Sequence, residues 1–305
     1  MRLIPRRGPK RKPLIRPEDI LLSKRITWRI DEPFTIFECD QFLPNEIFEQ
    51  LATTYPWEQL RSKLQGSNLR GRMDEEADRA EFASHLRRHP IWADLVAALR
   101  SRAFRKDARQ IFGAGLRGRA PRGSTLRRLY CALLPSWLLE TKCDMTAYRR
   151  GFYLTPHTDV AKKFVALLIY LSEPSARGDA GDQGTNFWRE RRAGAANEWY
   201  LRLTGASCAD MRYAALAGPR LERRFSEDDA LPSYLTDFSS DFERFHTSSG
   251  RSNSAAGFVK ARNSWHDVDL QNLPEGRMRG ALLVNINVVT PSVSLLRDKL
   301  RGRRN

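Results

Sequence analysis

Polar and apolar positions change rhythm along this chain at about residue 137. Before it, the apolar residues fall at helical spacing. LPNEIFEQLATTYP puts Ile47, Phe48, Leu51 and Tyr55 on one stripe, with Asn45 placed to cap the helix N-terminus. IWADLVAALRSRAF repeats the pattern with Trp92, Leu95, Val96 and Leu99. Ahead of both, PFTIFECDQFLP (33–44) reads as a half-buried strand through Phe34, Ile36 and Cys39. After residue 137 the apolar runs shorten and become β-branched and aromatic. WLLETKCDMTAY, FVALLIYLS (164–172), GTNFW (184–188), GFVKA (257–261) and MRGALLVNINVV (278–289) predict successive strands. About 70 residues between Trp188 and Gly257 break the series, which predicts an insertion at about 189–256. Its polar tail, HTSSGRSNSAAG, predicts a mobile loop. No internal repeat is present.

Composition narrows the class. The 305 residues are 41% hydrophobic and 29% charged, enough for one large or two small globular domains. No run reaches the roughly 18–20 apolar residues of a membrane span, and the N-terminus lacks the apolar stretch of a secretory signal. Cys39, Cys131, Cys143 and Cys208 are scattered without the close pairing of a zinc site, and read as buried, reduced thiols of a cytoplasmic protein. The 52 Lys and Arg exceed the 36 Asp and Glu, leaving a net charge of +16. Residues 1–16 carry seven of these cations and no acid, and a second dense group lies at 101–128. Residues 1–24, rich in Pro, Lys and Arg, read as a flexible basic arm, with the folded domain spanning 25–305. Such a field favours polyanions or anionic substrates, although arginine-rich composition also follows from GC-rich coding.

The candidate chemistry starts in FYLTPHTDV. Residues two apart on a strand share a face, so His157 and Asp159 can offer an imidazole and a carboxylate to one ion. Taken alone, the pair reads first as an ordinary polar turn, a histidine beside a capping aspartate. A second histidine, His266, follows in NSWHDV, ahead of a Pro-Glu-Gly turn and an apolar strand that brings Arg277 and Arg279. Two histidines and one carboxylate with open positions form the facial triad of non-haem Fe(II) oxygenases. Three protein ligands leave room on an octahedron for a bidentate 2-oxo acid and O2, and an arginine on the following strand supplies a planar fork for a distal carboxylate.

These residues resemble the Fe(II)/2-oxoglutarate-dependent dioxygenases, near the prolyl-4-hydroxylase-like branch. The likeness runs over roughly 140–188 and 257–290: Tyr148 through Asp159 in the spacing Y-x-x-G-x-x-x-x-P-H-T-D, then IYLSEP, GTNFW, and SWHDV followed by PEGRMRGAL. FTIFECDQFLPNEIFEQLATTYP is similar to the family's entry strand and helix. The resemblance implies a mainly β fold with flanking helices (α+β): a double-stranded β-helix, or jelly-roll, with cupin-like architecture, helical support at its N-terminal side and one long insertion. It implies His157, Asp159 and His266 as ligands of Fe(II), with 2-oxoglutarate as cosubstrate and O2 as oxidant. Arg279 would hold the distal carboxylate, with Arg277 ranked second and Tyr148 approaching the oxo acid. The family places a small hydroxyl residue two positions beyond the arginine; here Ala281 stands there.

The implied reaction is hydroxylation of a substrate C–H bond with release of succinate and CO2. A small or surface-presented anionic substrate is favoured, with Arg244, Arg251 and Trp265 as candidate contacts and the insertion as lid. Alternatives are a nucleic-acid oxygenase or demethylase, a non-catalytic basic nucleic-acid-binding protein, and a cupin-like metal protein that uses no oxo acid. Nucleic acid is less favoured because no recognisable nucleic-acid module is present. Trp265 reads first as core packing. His85 and His89 predict a solvated helix face, His246 a surface residue, and Lys162 and Lys163 solvent-facing cations.

Overall fold

In the computed structural model, described for residues 11–64, 68–117, 138–159, 163–173, 184–196, 198–199, 238–261 and 263–288, two antiparallel sheets carry the fold. The strands in chain order are β1 (Trp28–Ile30), β2 (Ile36–Cys39), β3 (Arg70–Met73), β4 (Leu139–Arg149), β5 (Tyr153–His157), β6 (Lys163–Ser172), β7 (Asn186–Glu190), β8 (Phe242–Thr247), β9 (Ala255–Val259), β10 (Trp265–Asp269) and β11 (Met278–Val288). The seven-stranded sheet runs β1-β2-β9-β6-β11-β4-β3, and the four-stranded sheet runs β5-β10-β7-β8. This is the jelly-roll class expected from the sequence.

Alternation along β11 shows how the sheet is used. Leu282, Val284 and Ile286 point to the outer face and enter the main core. There they meet the helices α2 (Asn45–Thr53), α3 (Trp57–Ser62), α4 (Arg79–Arg88), α5 (Pro90–Leu99) and α6 (Arg102–Arg117) through Phe48, Leu60, Phe82, Trp92, Leu99, Phe104 and Phe112. Leu283, Asn285 and Asn287 point inward and line a cavity. β4 divides likewise: Cys143, Met145 and Ala147 go to the helical side, and Lys142, Asp144 and Tyr148 face the cavity. The Tyr55 hydroxyl ties the helical layer to this sheet, donating to the Thr146 carbonyl at 2.7 Å and accepting from the Thr146 N–H at 2.8 Å.

The two long sides of the sandwich differ. On one, Trp28 stacks on His246 with ring centroids 4.3 Å apart, His246 bonds Glu38, and the Ser249 N–H donates to Glu38 at 3.1 Å, so that β1 and β2 are tied to β8. On the other, β3 and β5 are the terminal strands of their sheets. The cavity, of about 510 Å³, is lined from both.

Several expectations require correction. Asn45 is the first residue of α2, not its cap; the cap position is Pro44. The basic arm does not extend to residue 24. Ile15, Ile20 and Leu22 are buried in the main core, with Leu22–Arg25 forming a helical turn (α1), because three apolar side chains among the cations suffice to anchor the segment. The second predicted helix breaks at Arg100 into α5 and α6. β3 was not foreseen. Neither was β8, which lies inside the expected insertion and completes the smaller sheet. The polar tail is packed: Ser248 and Ser254 are buried, and Asn253, in the left-handed region at φ 65°, brackets the Leu43 peptide with two side-chain bonds. His85 is 1% exposed and faces the core beside Phe82 and Trp92, and His246 is the half-buried partner of Glu38. Residues 1–10, 118–137 and 200–237, with Cys131, Cys208 and Lys162, lie outside the described residues. Cys39 and Cys143 are buried free thiols.

Candidate metal centre

β5 and β10 are paired neighbours in the smaller sheet, and their ladder sets His157 opposite His266. Both rings face inward, with centroids 4.3 Å apart. Asp159 lies two residues past the end of β5, so it reaches the site from the following loop and not from the strand face expected of it. The donor atoms of His157, Asp159 and His266 all lie within 4.8 Å of one another, close enough to converge on one cation.

The tautomers are set locally. His157 Nδ1 lies 2.8 Å from the Thr155 carbonyl, and His266 Nδ1 lies 3.0 Å from the Ser264 carbonyl. A carbonyl accepts only from N–H, so each ring carries its proton on Nδ1 and leaves the Nε2 lone pair for a ligand. Burial lowers both imidazoles; His266, also facing the His157 ring, is pulled down to about 3. They stay neutral near pH 7, the ligating form. Burial acts to raise the Asp159 carboxyl, but Lys163 and the two rings outweigh it and hold the group below the usual carboxylate range. Lys163 Nζ donates to Asp159 Oδ1 at 2.6 Å, so it is paired rather than solvated. The residues fit a divalent cation: two neutral nitrogens, one anionic oxygen and donor spacing that one ion can span.

Arg279 lies on the facing sheet, 4% exposed. Its guanidinium carbon is 5.3 Å from the ring centroids of both Tyr148 and Tyr170, and Nη1 donates to the Gly184 carbonyl at 3.3 Å. Beside it the Tyr170 hydroxyl is 2.9 Å from Ser248 Oγ and 3.2 Å from Thr185 Oγ1. Three buried hydroxyls therefore stand near the arginine although Ala281 contributes none. The sequence pattern did not reveal them, since they come from three separate segments. Arg277 is in the turn preceding β11, partly exposed and away from the cavity wall.

The candidate substrate contacts are not assembled here. Trp265 points to the opposite face of β10 from His266 and packs against Phe238 and Phe242, with centroids 5.5 and 5.2 Å away. Arg244 is exposed on β8, near enough to Asp267 to lower its carboxyl, and Arg251 is exposed in the turn before Asn253. None of the three lines the cavity. Asp267, next to His266, accepts from Asn186 Nδ2 at 2.6 Å and Trp188 Nε1 at 2.9 Å, which braces β10 against β7; burial nevertheless raises its carboxyl to about 7. Sequence reading also missed Arg70 and Arg72, which β3 places on the cavity wall.

Fold and site together define a double-stranded β-helix with an inward His-Asp-His cluster. Neither a protein-family model nor a curated protein matches the chain. Similar solved structures include a Pseudomonas putida prolyl-4-hydroxylase, at 13% identity over 83% of this chain and 92% of that one, TM-score 0.37. HygX from Streptomyces hygroscopicus, with nickel and 2-oxoglutarate bound, is 12% identical over 82% of each chain, TM-score 0.35. EvdO2 from Micromonospora carbonacea var. aurantiaca, complexed with 2-oxoglutarate, is 12% identical over 85% of this chain and 88% of that one, TM-score 0.38. At such low scores the reading rests on the residues of this chain.

Proposed function

We propose that the protein is an Fe(II)- and 2-oxoglutarate-dependent dioxygenase that hydroxylates a C–H bond of an anionic substrate, releasing succinate and CO2. The observation that carries this reading is the cluster of His157, Asp159 and His266 donors within 4.8 Å, on the wall of a cavity that also reaches Tyr148 and Thr185 beside Arg279. The metal, when bound, supplies the activation of O2 and the oxidative decarboxylation of the oxo acid.

The residues of the chain bind and orient. His157 and His266 present Nε2, fixed by the bonds from Nδ1 to Thr155 and Ser264. Asp159 presents the oxygen that Lys163 does not occupy, and the Lys163 bond limits its rotation. Arg279 receives the distal carboxylate of 2-oxoglutarate, with the Tyr170, Thr185 and Ser248 hydroxyls replacing the one that Ala281 lacks. Phe258 packs on His266 at 4.3 Å and, with Leu168 and Leu283, keeps the inner wall apolar, which limits water at the reacting C–H. Of the basic stretches 1–16 and 101–128, residues 1–10 and 118–128 lie outside the described residues, Arg11 and Arg16 pair with Asp94 and Asp19, and no observation favours nucleic acid as substrate. Among the described residues no helix is long and apolar enough to cross a membrane, and the buried thiols of Cys39 and Cys143 accord with a cytoplasmic assignment.

The test is equilibrium binding. The intact protein, purified without oxygen, is expected to take one Fe(II) per chain, and His157→Ala, Asp159→Ala and His266→Ala are each expected to weaken that binding by at least about a hundredfold. Unchanged affinity in all three would remove the assignment.

A further inference from the structure

Arg70 enters the cavity from β3, the terminal strand of the larger sheet among the described residues. The ladder sets it opposite Tyr148, and its guanidinium carbon lies 5.6 Å from the Tyr148 ring centroid. The Nε atom is buried and makes no hydrogen bond. The other cations on this wall are all committed: Arg72 to Asp74 and Asp144, Lys142 to Glu76, Lys163 to Asp159. Among the described residues Arg70 forms no ion pair.

A guanidinium seated on an aromatic ring is held in position while its in-plane N–H donors remain available. A desolvated donor with no acceptor is costly, and an oxyanion in the plane of the fork would satisfy it. We propose that Arg70 anchors an oxyanion group, carboxylate or phosphate, of the substrate. The proposal rests on the dioxygenase reading. It deepens that reading by giving the substrate's acidic group a place on the same cavity wall as His157, Asp159 and His266. The sequence pointed to Arg244 and Arg251 for this role, whereas the folded chain brings Arg70. Both Arg70 and Arg279 border the Tyr148 ring, so the test must separate substrate anchoring from service to the oxo acid.

The full-length protein is loaded with Zn(II), which is diamagnetic and redox-inert, and with 2-oxoglutarate. Its arginine Nε–Hε resonances are then followed during titration with inorganic phosphate or acetate. The resonance missing from Arg70→Lys identifies Arg70. The expected result is a saturable shift of that signal in the millimolar range, while calorimetry shows 2-oxoglutarate affinity within about threefold of wild type in Arg70→Gln. Saturation by phosphate alone supports a phosphoryl group, and saturation by acetate alone supports a carboxylate. A silent Arg70 resonance with both anions overturns the proposal. So does a loss of 2-oxoglutarate affinity in Arg70→Gln equal to that in Arg279→Gln, because the guanidinium then belongs to the oxo acid. Failure of the wild-type protein to bind Zn(II) and 2-oxoglutarate would overturn the dioxygenase reading instead, whatever Arg70 does.

Discussion

Replacing Arg279 by glutamine tests the oxo-acid pocket directly. The guanidinium is 4% exposed, and the rings of Tyr148 and Tyr170 stand on its flanks at 5.3 Å. A carboxylate about 4 Å from it, at an effective dielectric near 20, interacts by about 4 kcal/mol. Truncating one partner of such a buried, hydrogen-bonded charge pair costs about 2–5 kcal/mol, part of it from leaving the other charge unpaired. A central value near 3 kcal/mol corresponds to roughly a hundredfold rise in the 2-oxoglutarate dissociation constant. Arg279→Lys keeps the charge but loses the fork, and is expected to fall between the two. Arg277 is partly exposed outside the cavity, where ion pairs contribute about 0–1 kcal/mol, so Arg277→Ala is expected to change the constant by less than about fivefold. The assay is anaerobic calorimetry of Mn(II)-loaded protein with 2-oxoglutarate, with Mn(II) affinity measured first in each variant. An Arg277→Ala effect equal to or larger than that of Arg279→Gln would refute the assignment of the pocket to the inner face of β11.

Three further outcomes test the scaffold. Tyr55→Phe removes a hydroxyl that serves the Thr146 N–H and carbonyl and the Ala281 carbonyl, and urea unfolding should show a loss of about 1–3 kcal/mol; an unchanged midpoint would contradict the link between helices and sheet. Burial, reinforced by His89 and Arg88, lowers His85 from 6.5 to about 4, so the unfolded chain holds the extra proton between these values. Its stabilising contribution is complete above 6.5 and declines towards pH 4, by about 3 kcal/mol in full, and His85→Leu should flatten that part of the stability profile; parallel profiles for both proteins would refute it. Gly71→Ala would place a Cβ 2.1 Å from the Leu60 carbonyl oxygen, and the forced separation of α3 from β3 should cost about 1–3 kcal/mol by thermal unfolding.

What the sequence made legible depended on whether the determining contacts were local. The β11 run alternates between a helical core and a cavity, and that period is visible in MRGALLVNINVV itself. The His157/Asp159 spacing and the placement of His266 before a turn likewise sit within short windows, so the cluster could be anticipated from a few residues. β3 could not. RGRM is four residues with two arginines, too short and too polar for a period, and it becomes a strand because Gly71 and Met73 pack while its backbone pairs with β4. The polar tail misled for a related reason. Ser248 and Asn253 are buried through bonds to Tyr170 and Leu43, and hydroxyl and amide side chains satisfied over such chain distances look like loop residues when read in order.

The same distinction explains why the ligand cluster was easier to find than the substrate contacts. The two imidazoles take their tautomers from carbonyls two residues upstream, so the metal-facing geometry is encoded within T-P-H and S-W-H. The open side of the sandwich has no such local code. Among the described residues it exists because Trp28, Glu38, His246 and Ser249 tie β1 and β2 to β8 on one side, while β3 and β5 pair with no further described strand on the other. That asymmetry puts Arg70, with its committed neighbours Arg72 and Lys142, on the cavity wall and leaves Arg244 and Arg251 on the outside. Basic residues are abundant throughout this chain, so charge alone did not distinguish them; which cation faces the metal ligands is decided by the strand order of the sheets.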